Sequence, residues 1–121
     1  MSADSYFTSK SGEYNFDMNK IGLAHQDCFG QFIKALSTTR PRDLLVVDNT
    51  NTRLWECSPY VLAGETFMHD VKLIRFNVVS GLAAVAARNS HGVPEAAVIS
   101  MHERMEPALP HWSEEVIEVS L

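Results

Sequence analysis

The sequence predicts an α/β domain built on a parallel sheet, because short apolar runs alternate with stretches of helical periodicity along the chain. Leu44-Leu45-Val46-Val47 is a continuous apolar run closed by Asp48, the pattern of a strand buried on both faces. Val71-Lys72-Leu73-Ile74-Arg75-Phe76 reads as a second strand, and Glu115-Val116-Ile117-Glu118-Val119 alternates as a closing one. The resulting order is helix, strand, helix, strand, helices, strand.

The elements follow in turn. Residues 5–16 mix aromatics with Ser, Lys and Gly and read as loop. Asp17 can cap the next helix, since its carboxylate accepts the free amides of a first turn. Ile21, His25, Cys28, Phe32 and Leu36 then recur at four- and three-residue steps and predict one buried helix face. Thr38 to Asp43 is a polar turn containing Pro41. Asn49-Thr50-Asn51-Thr52 ends the apolar run with residues that favour turns and helix caps. Residues 53–66 form a helical stretch in which Pro59 suits only a position near the first turn. Residues 80–90 are alanine-rich and helical, and Pro94 suits a first helical position before Val98, Met101 and Met105.

Bulk composition narrows the function classes. The chain has 121 residues, 45% apolar and 21% charged, which fits one globular domain and excludes fibrous or disordered classes. A net charge of −5 argues against sequence-blind coating of nucleic acid, which needs a basic face. It leaves room for gripping a short single-stranded end with a few arginines. The two cysteines, Cys28 and Cys57, are too few for a disulfide framework and are expected as reduced thiols. No apolar run approaches the length of a membrane span, and the first residues lack the pattern of a signal peptide. The expected compartment is the cytoplasm. His25 and Cys28 stand three apart, but structural zinc takes about four ligands, so packing on the helix is expected of both.

Three segments carry chemistry. Asp48 closes an apolar run, where a parallel sheet places ligand-binding side chains. Asp48-Asn49-Thr50-Asn51-Thr52-Arg53, followed by Trp55-Glu56 and Pro59-Tyr60, resembles the DNTNT segment of P-loop kinases of the polynucleotide-kinase-like, AAA-type ATPase family. Ala87-Arg88-Asn89-Ser90-His91-Gly92-Val93-Pro94 resembles the lid of the same family. Ser2-Ala3-Asp4-Ser5-Tyr6-Phe7 resembles the segment that ends its second strand and presents a catalytic Asp.

The resemblance implies roles for each segment. Asp4 would accept the proton of an attacking hydroxyl, and Arg88 would stabilise charge on the moving phosphoryl group. Asp48 would hold the metal or orient the acceptor. Thr50, Asn51 and Arg53 would bind the acceptor, and Asn89 would contact the cofactor. ATP and Mg2+ are the implied cofactors, and a nucleic-acid end or nucleoside is the implied acceptor. His91 is a poor candidate for a base, being expected in a turn beside Gly92.

One departure matters most. The family grips ATP with a GxxxxGK[ST] loop, and no such run occurs here: none of the glycines at 12, 22, 30, 64, 81 and 92 precedes Lys-Ser or Lys-Thr. The expected fold is therefore an incomplete three-layer parallel sheet of P-loop kinase type, lacking the P-loop strand and first helix. It spans 1–121 as one domain, with 1–16 as the end of the second strand and a loop, 80–105 as the lid region, and 115–120 as the final strand. Such a chain is expected to be inactive alone and to pair with a P-loop-bearing segment or with itself. The alternatives are a non-catalytic binding or dimerising remnant, and an ATP-independent phosphoesterase.

Overall fold

The computed structural model describes residues 1–40 and 42–121, so Pro41 of the predicted polar turn lies outside the described residues. The architecture is mixed α/β, with helices α1 (Ile21–Leu36), α2 (Leu54–Thr66), α3 (Leu82–Ala87) and α4 (Glu95–Glu103). Strands β1 (Leu73–Ser80) and β2 (Glu114–Ser120) form a parallel pair in register from Leu73 opposite Glu114 to Val78 opposite Val119. Parallel pairing requires a crossover, which α3 and α4 supply.

Helix α1 follows a 3₁₀ turn, Met18–Lys20, whose start is capped by Asp17 accepting the Asn19 amide at 3.0 Å. The expected stripe is shifted. Ala24, Cys28, Phe32 and Leu36 are buried, whereas Ile21 and His25 are exposed. The predicted packing therefore holds for Cys28 and fails for His25. The buried set repeats every four residues without a break and drifts off the face that Ile21 and His25 occupy.

Helix α1 packs on a second 3₁₀ turn, Ala3–Phe7, through a core of Ala3, Phe7, Ala24 and Cys28. Residues 1–16 thus hold a short helical turn where the end of a strand was expected. Tyr60 joins α2 to α1 by edge-to-face contacts with Phe29 and Phe32, at centroid distances of 5.2 and 5.1 Å. A second core, Cys57, Val61 and Trp112, ties α2 to Val71, Leu73, Ala108 and Leu109. Pro59 sits inside α2, not in its first turn, and removes one backbone donor there. Gly81 ends β1 at φ +79, where a Cβ would run into the backbone of Leu121.

The Leu44–Val47 strand is the main correction. No ladder forms there, and Leu44 and Val46 are 84% and 54% exposed. Among the described residues its only rung is with the chain start: the Met1 amine donates to Val46 O at 2.6 Å, and the Asp48 amide to Met1 O at 2.8 Å. That is the bond pattern of a parallel pair one residue long. An extended chain aims alternate peptide groups to opposite sides, so Leu45 and Val47 direct theirs to the other edge. Among the described residues nothing pairs with that edge. The apolar run has the composition of a strand buried between two neighbours, yet among the described residues it pairs with Met1 alone. Likewise, among the described residues β1 pairs on one side only, with Ile74 and Phe76 exposed at 56% and 61%. No helix among the described residues is long and apolar enough to cross a membrane.

Candidate functional site

The 3₁₀ turn that carries Asp4 is held by its neighbours on both sides. Ser2 Oγ accepts the Asp4 amide at 3.1 Å, and Asn49 Oδ1 accepts the Ala3 amide at 2.8 Å. Asn49 also reaches Cys28 Sγ at 3.6 Å and the Tyr60 hydroxyl at 3.5 Å with its amide nitrogen. One side chain thus links the Asp4 turn, the residue after Asp48, α1 and α2. The structure brings the segments that carry Asp4 and Asp48 side by side through the Ala3–Asn49 bond. Both carboxylates are exposed or nearly so, and no hydrogen bond or ion pair engages that of Asp48 among the described residues.

Asp4 is more occupied. Tyr14 donates its hydroxyl to Oδ1 at 3.4 Å, and His91 Nδ1 lies 3.4 Å from Oδ2. The rings of Tyr14 and His91 stack at 4.1 Å and 15°. Burial first, then the Asp4 charge and hydrogen bond, push the Tyr14 phenol above its ordinary value. Replacing Asp4 with Asn is therefore expected to lower the Tyr14 titration midpoint, read by phenolate absorbance with Tyr6 and Tyr60 changed to Phe. The sign for stability follows from the raised value. Tyr14 stabilises the fold fully below the unfolded tyrosine midpoint near pH 10, and that contribution is lost as pH rises through the folded value. An unchanged midpoint in the Asp4→Asn protein would remove Asp4 from the Tyr14 environment.

The Asp48–Arg53 segment is locked from behind. Thr52 is fully buried, donates to Glu56 Oε2 at 3.1 Å and accepts from Arg104 Nε at 3.0 Å. Glu56 also accepts the Arg53 amide at 2.8 Å, and Glu106 accepts the Leu54 amide at 2.6 Å, so two carboxylates cap the start of α2. Thr50 and Arg53 are exposed; Asn51 is half-buried with φ +41, the left-handed conformation that asparagine tolerates. Thr50 and Thr52 share a cleft of about 170 Å³ with Phe76, Val78, Leu82 and Met101, among others.

Arg88 caps the C-terminal end of α3 and is exposed. Asn89 spends its amide on its own loop: Nδ2 donates to Ala86 O at 2.6 Å and Val93 O at 2.9 Å, and Oδ1 accepts the Val93 amide at 2.8 Å. Both Nδ2 hydrogens are therefore spent on the loop, and any donation from Asn89 to a cofactor would have to break one of these bonds. Among the described residues no three His, Cys, Asp or Glu side chains converge as a metal cage. Magnesium at phosphate sites needs only one or two carboxylates beside the phosphates, which the exposed Asp48 fits. ATP is different, because nothing in this chain supplies a phosphate-gripping loop.

Sequence reasoning passed over Tyr14, Asn49, Arg104 and Glu106, and set His91 aside. No periodicity marks them, since each works across a separation of ten residues or more.

Comparison with known proteins finds several similar proteins. Human NEDD4-binding protein 2 is 29% identical over 105 residues, covering 85% of this chain and 6% of that protein. This chain therefore corresponds to a small part of the relative's length. No protein-family model matches. No solved structure matches.

Proposed function

We propose that this chain forms the acceptor-binding and lid portion of a P-loop phosphotransferase, which a phosphate-binding strand–helix segment completes. The observation that carries the reading is that Leu45–Val47 and β1 each present an edge with no partner among the described residues, while Thr50 and Thr52, just after the first, share a cleft with Phe76 and Val78 of the second. A further strand paired with these edges would satisfy their peptide groups, and its helix would cover apolar side chains such as Val46 and Phe76 that otherwise stand in water. The segment would also bring the phosphate grip that the chain lacks. In this reading the setting is cytosolic, and the completed form moves the γ-phosphoryl group of ATP to a hydroxyl, a 5′-hydroxyl of a polynucleotide or nucleoside being favoured.

Each residue has a defined task. Asp4 takes the proton of the acceptor hydroxyl. Arg88 offsets charge on the transferred group with a guanidinium that is always ionised. Thr50, Asn51 and Arg53 bind the acceptor beside the cleft, and Asp48 holds the metal. When bound, Mg2+ neutralises phosphate charge.

The test is to supply the missing segment, fused or in trans, and assay transfer of labelled γ-phosphate to a 5′-hydroxyl oligonucleotide or a nucleoside. Turnover by the completed protein and none by the chain alone is expected. A folded completed protein that binds ATP yet phosphorylates neither acceptor would overturn the reading. The same exposed edges favour a second one, a non-catalytic module that pairs with its own copy. Sedimentation would then show a concentration-dependent dimer that the supplied segment does not displace.

A further inference from the structure

We propose that His91 is a positioning residue for Asp4, latching the Asn89–Val93 loop across the candidate base. The inference rests on the reading of Asp4 above and extends it to a residue that the family resemblance leaves without a role.

Three separate stretches of chain meet at one carboxylate. An exposed aspartate on a five-residue 3₁₀ turn has freedom about both side-chain torsions unless something restrains it. Here each oxygen has its own neighbour: Tyr14 hydroxyl on Oδ1 and His91 Nδ1 on Oδ2, both at 3.4 Å. A hydroxyl donor on one oxygen and an imidazole contact on the other restrain the plane of the carboxylate as well as its position. Both partners are themselves restrained. Tyr14 is tied to the 3₁₀ turn by the Thr8–Tyr14 bridge and by the Asn15 amide donating to Phe7 O at 2.9 Å, while its ring meets Phe7 edge-on. His91 lies flat on Tyr14, and its loop is closed by the three Asn89 bonds and turned at Gly92, where φ is +68.

The arrangement also joins the two halves of the chemistry. His91 stands three residues after Arg88, so the contact that orients the base keeps the arginine-bearing loop beside it. Orientation of a base against its acceptor is worth a large share of a catalysed rate, and small displacements cost heavily.

The test compares His91→Ala and His91→Asn with the parent 121-residue chain. Asparagine keeps an N–H donor near the Nδ1 position and loses the stack. Amide hydrogen exchange is read at Thr8 and Val93, with α1 amides as the internal control. An exposed pair of this kind predicts exchange about two- to fivefold faster at both amides in His91→Ala, with α1 unchanged and His91→Asn intermediate. Asp4→Asn should speed exchange at Val93 in the same way, and the double variant should fall short of the sum. Unchanged exchange at Thr8 in His91→Ala, or strict additivity, would overturn the latch. In the completed protein His91→Ala should lower kcat about tenfold at near-constant KM, with partial recovery in His91→Asn. Absence of phosphotransfer with the exchange coupling intact would sink the kinase reading and leave the latch standing.

Discussion

Replacing Asp4 with Asn in the completed protein is expected to lower kcat by about 10²–10⁴-fold while KM for the acceptor changes little. The substitution keeps size and hydrogen-bonding capacity, so the 3₁₀ turn and its bonds to Ser2 and Asn49, made by backbone amides, should survive. What it removes is a carboxylate able to take a proton. The expected pattern is therefore a loss in the chemical step without a loss of binding. A melting temperature within a degree or two of the parent would show that the turn is intact. An unchanged kcat would exclude Asp4 as the base and leave its contacts with Tyr14 and His91 as structural only.

The second large effect is on stability. Trp112 is 9% exposed and packs with Cys57 and Val61 at the point where α2, β1 and the approach to β2 converge. Its backbone closes a turn onto Leu109 O at 3.0 Å, and the next residue, Ser113, accepts the Leu73 amide at 2.8 Å as the sheet begins. Trp112→Ala should cost about 3–5 kcal/mol, since it removes a large apolar surface and leaves a cavity between elements. Domains of this size are stable by only about 5–15 kcal/mol, so that is a large fraction of the total. A urea melt should show the midpoint falling with little change in slope. A loss below about 1 kcal/mol would mean the second core contributes little and that α1 with the Ala3–Phe7 turn carries the fold.

Much of the local structure was legible in the residues. The four-residue repeat ending in Cys28, Phe32 and Leu36 announced α1, and Asp17 marked its approach. The alternation near Phe76 and near Val119 located both strands, although β1 runs on to Ser80 and not only to Phe76. The bond from the Ala3 amide to Asn49, which sets the Asp4 turn beside the residue after Asp48, carried no such local signal. What the residues did not reveal was who occupies Asp4, or that Arg104 and Glu106 hold Thr52 and Leu54 across 52 residues of chain.

The difference has a physical origin. Helical periodicity, caps and turn residues act within a few positions, through backbone torsions and the faces that side chains share. The sequence by itself therefore determined α1, α2, the two strands and the α/β class. A strand is a strand only when a partner satisfies its peptide groups, and Leu44–Val47 has the composition without the partner. Only the tertiary structure could decide that the run stays open on one edge. It alone could bring Tyr14 and His91, separated along the chain, onto the two oxygens of Asp4.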